Sequence, residues 1–408
     1  MENTVQKWPN ITFNEIIIII ALVFSPFTAL RFSFFGVAET LFVLYCGIYI
    51  YDNKGILQIP TESSGKYYVV FIITTIVGWA FNIISGINSG TTGSAIFNLS
   101  SYIITGITIL CFECSIKDEK VIVRPNVILK WLFILFGIIS VILYILSLTR
   151  SSILGFPLRY YKYFSPLANN IHQYAMFALP LSFVGFYYAY NEESTYKKAF
   201  FIILSLSYVY MNYSTGSEKA LIGLVVGTIV FVITYLIGLV SDSYQRKFLI
   251  IVLVILLTII VVLNYDTIVL FFINYFVKID NSGSRQHLYL SAVRIILNKS
   301  PIIGLGPSVH VRLTSGELYD SHETFLAAGL SGGIIGVYYI TRFLTTTTKR
   351  VMKNPHLLAA IIPIYIYALG GDLLRKLSVW IVFILISYIE KEEQIRELDN
   401  ISECAYIK

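Results

Sequence analysis

Apolar runs of about the length of a membrane span follow one another almost without interruption along this sequence. They fall at roughly 14–30, 34–51, 67–85, 94–113, 128–148, 168–190, 198–213, 219–240, 247–264, 323–344, 356–370 and 377–390. A helix of about 20 apolar residues crosses the hydrocarbon core of a bilayer. Inside that core each backbone N–H and C=O must find its partner within the chain, so such segments fold as helices. Composition agrees, with 56% hydrophobic and 13% charged residues, against about 25% charged in soluble domains. The expected fold is an all-α polytopic integral membrane protein of about twelve transmembrane helices with one large loop. The N-terminal "MENTVQKWPNITFNE" lacks a cleavage site after a short apolar core, so the first run is expected to stay as a span.

Lysine and arginine set the orientation. With the N-terminus inside, 18 of the 30 basic residues lie on the inner side, and the short outer segments hold seven. Both termini are therefore expected in the cytoplasm. The chain then divides into spans one to nine over 1–264, a large outer loop over 265–322, and spans ten to twelve with a cytoplasmic tail over 323–408. A loop of that length without structure of its own is uncommon unless it is functional. Within it, "SRQHLYLSAVRIILNK" reads as a helix with Ser284 as N-cap and Pro301 as its stop. Arg285, Tyr289, Ala292, Ile296 and Lys299 share one face of it, and Arg294 points the other way.

The loop ends in "SPIIGLGPSVHVRLTSGELYDSHETFL", Ser300 to Leu326, the longest stretch that does not read as membrane filler. Its Gly and Pro residues permit a turn that folds the loop back over the span ends as a lid. His322 stands where the chain re-enters the membrane, flanked by Asp320 and Glu323. An imidazole there can act as a general base near neutral pH, or can simply cap the helix.

Eleven basic residues sit at outer span ends or in outer loops, among them Arg159, Lys219, Arg285, Arg294, Arg375 and Lys376. The inside bias of positive charge should deplete that side. Each could anchor to lipid headgroups, but the set points to an anionic substrate, and arginine suits phosphate through its bidentate fork. Lys219 lies in "STGSEKALIG", at a hydroxyl-capped helix start that favours anions; Glu218 beside it is the alternative partner. Gly223 and Gly227 form a GxxxG that reads as close helix packing. Glu39 is the main acidic residue expected within a span. The four cysteines, with Cys111 and Cys114 as a lone CxxC, read as ordinary membrane-helix cysteines. The chain carries no DxD, HExxH or Walker A string, and so lacks the residues of metal-dependent nucleotide-sugar transferases, zinc proteases and P-loop ATPases. No metal or cofactor site is expected, and nothing points to nucleic acid.

The run Arg285, Tyr289, Ala292, Ser300-Pro301-Ile302-Ile303-Gly304-Leu305-Gly306, His322-Glu323, Leu326, Gly329 and Gly332-Gly333-Ile334-Ile335-Gly336 resembles the signature region of the O-antigen polymerase (Wzy-type) and O-antigen ligase superfamily. "SPLANNIHQYAMFALPL", Ser165 to Leu181, is similar to the family's Pro/Asn-rich start of a middle span, and "STGSEKALIG" to its T-x-S-R segment. There the chain departs from the pattern. Glu218 stands where arginine is expected, so the arginine's role is either lost or moved to Lys219.

The resemblance implies a GT-C-like bundle in the bacterial inner membrane, with a periplasmic loop holding short helices and the active site. It implies metal-independent, inverting glycosyl transfer from a glycan on undecaprenyl pyrophosphate. The acceptor is a second lipid-linked repeat unit in a polymerase, or lipid A–core in a ligase. Arg285, with Lys219, Arg159 and Arg294, is then expected at the pyrophosphate, and His322, with Glu323 second, at the acceptor hydroxyl. Partners on this reading are the lipid-linked oligosaccharide as donor and acceptor, membrane lipids, a chain-length regulator and a flippase. A lipid-linked oligosaccharide flippase or other transporter is the third reading. Against it, the sequence shows no two related halves and its charge gathers at the outer edge.

Overall fold

The structure is a computed structural model. It describes residues 11–32, 35–87, 92–117, 123–240, 284–309, 311–312, 318–319 and 323–389. The expected ninth span at 247–264, the C-terminal tail and His322 lie outside the described residues.

The described chain is helical almost throughout. The helices are α1 (Phe13–Phe24), α2 (Val37–Asp52), α3 (Gly65–Ser85), α4 (Thr92–Lys117), α5 (Pro125–Thr149), α6 (Ile171–Asn191), α7 (Thr195–Ser214), α8 (Glu218–Leu239), α9 (Ser284–Lys299), α10 (Thr324–Lys349), α11 (Pro355–Gly370) and α12 (Leu377–Ile389). Five of them, α3, α4, α5, α8 and α10, are long and apolar enough to cross a membrane, and α1, α11 and α12 are shorter apolar helices. The chain is thus a multi-pass membrane protein. Strands are limited, among the described residues, to four two-residue antiparallel hairpins, including Ser152–Ile153 with Phe156–Pro157 and Arg159–Tyr160 with Tyr163–Phe164.

Local chemistry sets the ends. Thr12 and Glu15 form a reciprocal capping box at the start of α1. The helix stops at Phe24, short of the expected 30, next to Pro26, which has no N–H to carry the hydrogen-bond ladder on. Pro125 and Pro355 open α5 and α11, where the missing N–H costs nothing. The GxxxG of α8 packs as expected. A side chain at Gly223 or Gly227 would meet Pro363 Cα at 3.3 Å or Ala359 O at 3.2 Å on α11. Helix α12 is buried on every side from Val379 to Ile389 and forms the centre of the bundle. Of the five long apolar helices, α8 is the least buried.

Polar contacts sort the helix ends into two sets. At one end lie the starts of α1, α3 and α5 and the ends of α4, α6, α10 and α12. Two carboxylates are buried there inside helices, which corrects the expectation that Glu39 is the main acid within a span. Glu15 takes Arg124 in a two-bonded pair at 2.8 and 2.7 Å. Glu113 accepts from Ser64 N–H (3.1 Å), Ser64 Oγ (2.6 Å), Gly65 N–H (2.8 Å), Arg350 Nη1 (3.2 Å) and Tyr388 OH (3.3 Å). It thereby caps α3, whose own N-cap side chain makes no such bond. Both acids sit within helices yet close to their ends, where an arginine from another segment can reach them. At the opposite end, Gln173 meets Thr28, Lys219 meets Gly370, and Thr324 meets Gly371. This alternation is what successive antiparallel spans require. The first end is the one that the charge bias assigns to the cytoplasm.

Candidate functional site

The turn after α9 is built into the bundle. Helix α9 packs Leu288 and Ala292 against Leu305, Val309 and Leu330 and ends at Lys299, before Pro301. Helix α10 is broken at Gly333, with φ 61° and ψ −157°. The break costs α10 the two rungs that Ile334 and Ile335 N–H would make to the carbonyls of Leu330 and Ser331. The turn supplies all four partners. Leu305 N–H donates to Leu330 O (2.8 Å) and Gly306 N–H to Ser331 O (3.0 Å), while Ile334 N–H donates to Pro301 O (2.9 Å) and Ile335 N–H to Ile302 O (3.3 Å). Asn82 of α3 adds a bond to Leu305 O at 2.9 Å.

Such an approach of backbone to backbone needs glycine. A Cβ at Gly304, with φ 68°, would lie 2.5 Å from Gly333 N, and one at Gly333 would lie 2.3 Å from Ile302 C. The expected lid is therefore corrected over Ser300–Gly306. That part is a wedge, fixed two turns inside the end of α10. The string Gly329-Leu330-Ser331-Gly332-Gly333 spells G-x-S-x-G. It lies in this helix break rather than at a strand-to-helix turn, and Ser331 is buried, so it is not a nucleophile elbow.

The segment joining α11 to α12, Gly370 to Lys376, gathers the candidate residues. Lys219 Nζ, in the first turn of α8, donates to Gly370 O. Thr324 Oγ1 donates to Gly371 O (2.7 Å) and accepts from Leu373 N–H (3.0 Å). Glu323 caps α10, accepting from Phe325 N–H (3.1 Å) and Leu326 N–H (2.5 Å). Burial raises the Glu323 pKa above the ordinary carboxylate value; those two N–H groups lower it, and the charge of Asp372 raises it again. Asp372 lies 3.5 Å from Arg375 Nε. Arg375 Nη1 donates to Asn98 Oδ1 at 2.6 Å; Asn98 in turn bonds Ser308 Oγ, which donates to Ser94 O at 2.7 Å. Close by, His172 Nδ1 and Ser217 Oγ lie 2.9 Å apart, and Ser217 Oγ and Tyr367 OH 2.8 Å apart.

Lys219 and Glu323 thus converge on consecutive residues of one short connection, Glu323 through its neighbour Thr324. Arg159 is half-buried on its hairpin, and Tyr163 of that hairpin packs against Gly216, three residues before Lys219. Arg294 is exposed on α9, away from the packed Leu288 and Ala292, so the packing of α9 does not carry it to Lys219. Arg285 lies in the first turn of α9. Reading the sequence missed Asp372, Asn98 and Thr324. It counted Arg375 only as one more outer cation. Gly370-Gly371-Asp372 between two apolar runs was the available signal, since such breaks mark exposed backbone. Among the described residues, no three His, Cys, Asp or Glu side chains gather as a metal site.

No curated protein sequence matches the chain. Residues 200–341 match the model of a family described as O-antigen ligase. That stretch includes α8 with Lys219, α9 with Arg285, the wedge, and α10 as far as its break and beyond. The motifs at 212–223 and 284–336 fall inside the matched stretch, and the one at Ser165 to Leu181 lies before it; over 200–341 the chain is similar to that family.

Proposed function

We propose that this chain is an O-antigen or related surface-polysaccharide polymerase. It joins repeat units carried on undecaprenyl pyrophosphate at the periplasmic face of the inner membrane. The observation that carries the reading is the meeting of Lys219 and the Glu323–Thr324 pair on the carbonyls of Gly370 and Gly371. A phosphate-binding cation and the residue that follows His322 thereby share one end of the bundle.

In the reaction, the bond between the anomeric carbon and the pyrophosphate oxygen breaks, and its electron pair leaves with the pyrophosphate. The acceptor hydroxyl oxygen forms the new bond from the opposite face, which inverts the anomeric centre. Its proton passes to His322, with Glu323 as the second candidate. Pyrophosphate is a good leaving group and needs positive charge rather than a general acid. Arg285 supplies that charge, assisted by Lys219, Arg159 and Arg294. The bond from Lys219 to the Gly370 carbonyl fixes the ammonium at this end of the bundle. The lipid-linked donor and acceptor come from the bilayer, delivered by a flippase, with a chain-length regulator as a further partner.

The ligase reading keeps the same chemistry with lipid A–core as acceptor, and the description of the matched family favours it. Transport is disfavoured by α10. Discontinuous helices of transporters offer their freed backbone groups to the substrate or ion, whereas here the wedge takes both freed carbonyls and both freed N–H groups. Deleting the gene and running a lipopolysaccharide gel separates the readings. A polymerase leaves core bearing one repeat unit; a ligase leaves bare core with polymer accumulating on the lipid carrier. His322→Ala and Arg285→Ala are each expected to reproduce the deletion. Full ladders in both variants would refute the assigned roles.

A further inference from the structure

At the end that the charge bias assigns to the cytoplasm, the groove between α3 and α10 joins two cations to a set of tyrosines. Lys66 and Tyr67 lie in the first turn of α3. Arg342 lies on α10, before Lys349 in its last turn. Arg342 Nη2 donates to Tyr67 OH at 3.3 Å. The Arg342 guanidinium and the Lys66 ammonium each stand 5.3 Å from the centre of the Tyr67 ring. Tyr67 stacks on Tyr339 at 6.3 Å, and Tyr339 meets Tyr338 edge-on at 5.2 Å. Lys66 also donates to Thr61 O at 2.5 Å, which fixes it over the start of α3.

The charges on the neighbouring elements leave this groove positive. Arg350, past the end of α10, is paired with Glu113 of α4 at 3.2 Å. Glu62, before α3, gives its backbone carbonyl to Arg350 at 2.6 Å, and the residue is exposed. Among the described residues neither Lys66 nor Arg342 forms an ion pair. Arg342 stands about 10 Å along α10 from Lys349, and the bond to Tyr67 holds it level with the first turn of α3. It is exposed on the outside of the bundle. A charge at the rim of a span is costly without a counter-charge. No carboxylate of the described chain supplies one, so a lipid phosphate at headgroup level must. Tyrosine suits that level, with its ring in the apolar layer and its hydroxyl among the headgroups. The ammonium of a zwitterionic headgroup would face Lys66 and Arg342. The groove therefore favours a headgroup whose only charge is its phosphate.

We propose that this groove binds one anionic membrane lipid, whose phosphodiester lies between Arg342 and Lys66 and whose glycerol end lies on Tyr67 and Tyr339. Arg342 meets the phosphate oxygens with its planar fork and Lys66 meets them as a point charge. The lipid bridges α3 and α10. Those two helices also hold the wedge, through Asn82 on α3 and the break at Gly333 on α10. A lipid that ties them together at this end stabilises the pair that carries the wedge. The site is independent of the reaction at the opposite end of the bundle.

The test uses the full-length protein in nanodiscs of phosphatidylcholine, pure or doped with phosphatidylglycerol, with retained lipid counted by native mass spectrometry. The wild type is expected to hold one phosphatidylglycerol and to melt at a higher temperature when it is present. Arg342→Gln is expected to melt as the wild type does in pure phosphatidylcholine, to bind phosphatidylglycerol at least about tenfold more weakly, and to lose the rise in melting temperature. Lys66→Gln is the second variant and is expected to weaken binding in the same direction. Lys353→Gln, which removes one charge from the turn after α10, is expected to bind as the wild type does. Equal weakening by Lys353→Gln and Arg342→Gln means that only the summed charge of this end attracts lipid, and overturns the proposal. Wild-type retention in Arg342→Gln and Lys66→Gln, or no retained phosphatidylglycerol in the wild type, also overturns it. Inorganic phosphate added to pure phosphatidylcholine discs is a separate arm. If it raises the melting temperature in an Arg342-dependent way while phosphatidylglycerol does not, the site takes free phosphate, and the lipid assignment is overturned.

Discussion

Gly333→Ala tests the wedge with one methyl group. The new Cβ would lie 2.3 Å from both Ile302 C and Ile302 O and 2.6 Å from Ile303 N. All three are backbone atoms, so no rotamer change relieves the clash, and either the wedge or α10 must move. If the wedge leaves, α10 can close its two missing rungs. Four hydrogen bonds, at 2.8, 3.0, 2.9 and 3.3 Å, are then replaced by two. The net loss of two costs about 1–3 kcal/mol. If the backbone stays, alanine at φ 61° carries a strain of about 1–3 kcal/mol instead. Either route also disturbs Leu305, which is 2% exposed, so a destabilisation of about 2–5 kcal/mol is expected. Gly47→Ala in α2 is the matched control. Its Cβ would meet nothing within 4 Å, and the change is expected to gain up to about 1 kcal/mol of helix propensity. Cys46, Cys111 and Cys114 are buried free thiols, so labelling by a thiol-reactive dye during heating follows unfolding directly. Gly333→Ala should release them at a lower temperature than wild type, and Gly47→Ala should not. Equal release temperatures for the two variants, with full polymer in cells, would refute the account of α10.

Three further outcomes follow from the same geometry. Glu113→Gln leaves Arg350 14% exposed and without its carboxylate, which is expected to cost about 3–5 kcal/mol by thermal unfolding. Exchanging the two residues as Glu113→Arg with Arg350→Glu is not expected to restore stability, because Glu113 also accepts from Ser64 and Gly65 N–H. For Glu323 the sign of the pH effect is set by its raised pKa. Its charged form costs more in the folded than in the unfolded protein, so the wild type gains stability as pH falls through the folded pKa, while Glu323→Gln lacks that gain; melting curves between about pH 7 and pH 4 compare them.

Much of the helical frame was legible because apolar length is a local signal. The runs at 67–85 and 356–370 became Gly65–Ser85 and Pro355–Gly370; α9 ends at Lys299 before Pro301 as expected, while Ser284, expected as its N-cap, is the first residue of the helix. The break in α10 was not legible. Gly332-Gly333 sits inside a continuous apolar run, and nothing nearby says that residues thirty positions earlier will supply the missing hydrogen bonds. The same holds for Lys219 with Gly370 and for Glu113 with Arg350, each a contact across more than a hundred residues. Arg159 and Arg294 resembled Lys219 as outer cations. Packing separates them, because α9 turns Arg294 outward while the start of α8 turns Lys219 onto the α11–α12 connection.

What holds each charge distinguishes the two ends of the bundle. At the end that the charge bias assigns to the cytoplasm, Arg124 and Arg350 lie against the carboxylates of Glu15 and Glu113. Those pairs cancel, and their work is to fasten helix ends. At the opposite end Lys219 donates to a backbone carbonyl, and Arg375 bonds the amide oxygen of Asn98 at 2.6 Å and lies 3.5 Å from Asp372. Both cations are thereby fixed at the short α11–α12 connection, and a fixed cation is what a site needs if it must stabilise negative charge that arrives with a ligand or develops on a leaving group. If neutralising Lys219 with Lys219→Met leaves both undecaprenyl pyrophosphate binding and polymer length unchanged, the outer charge is only an anchor for headgroups, and the asymmetry between the ends is one of topology alone.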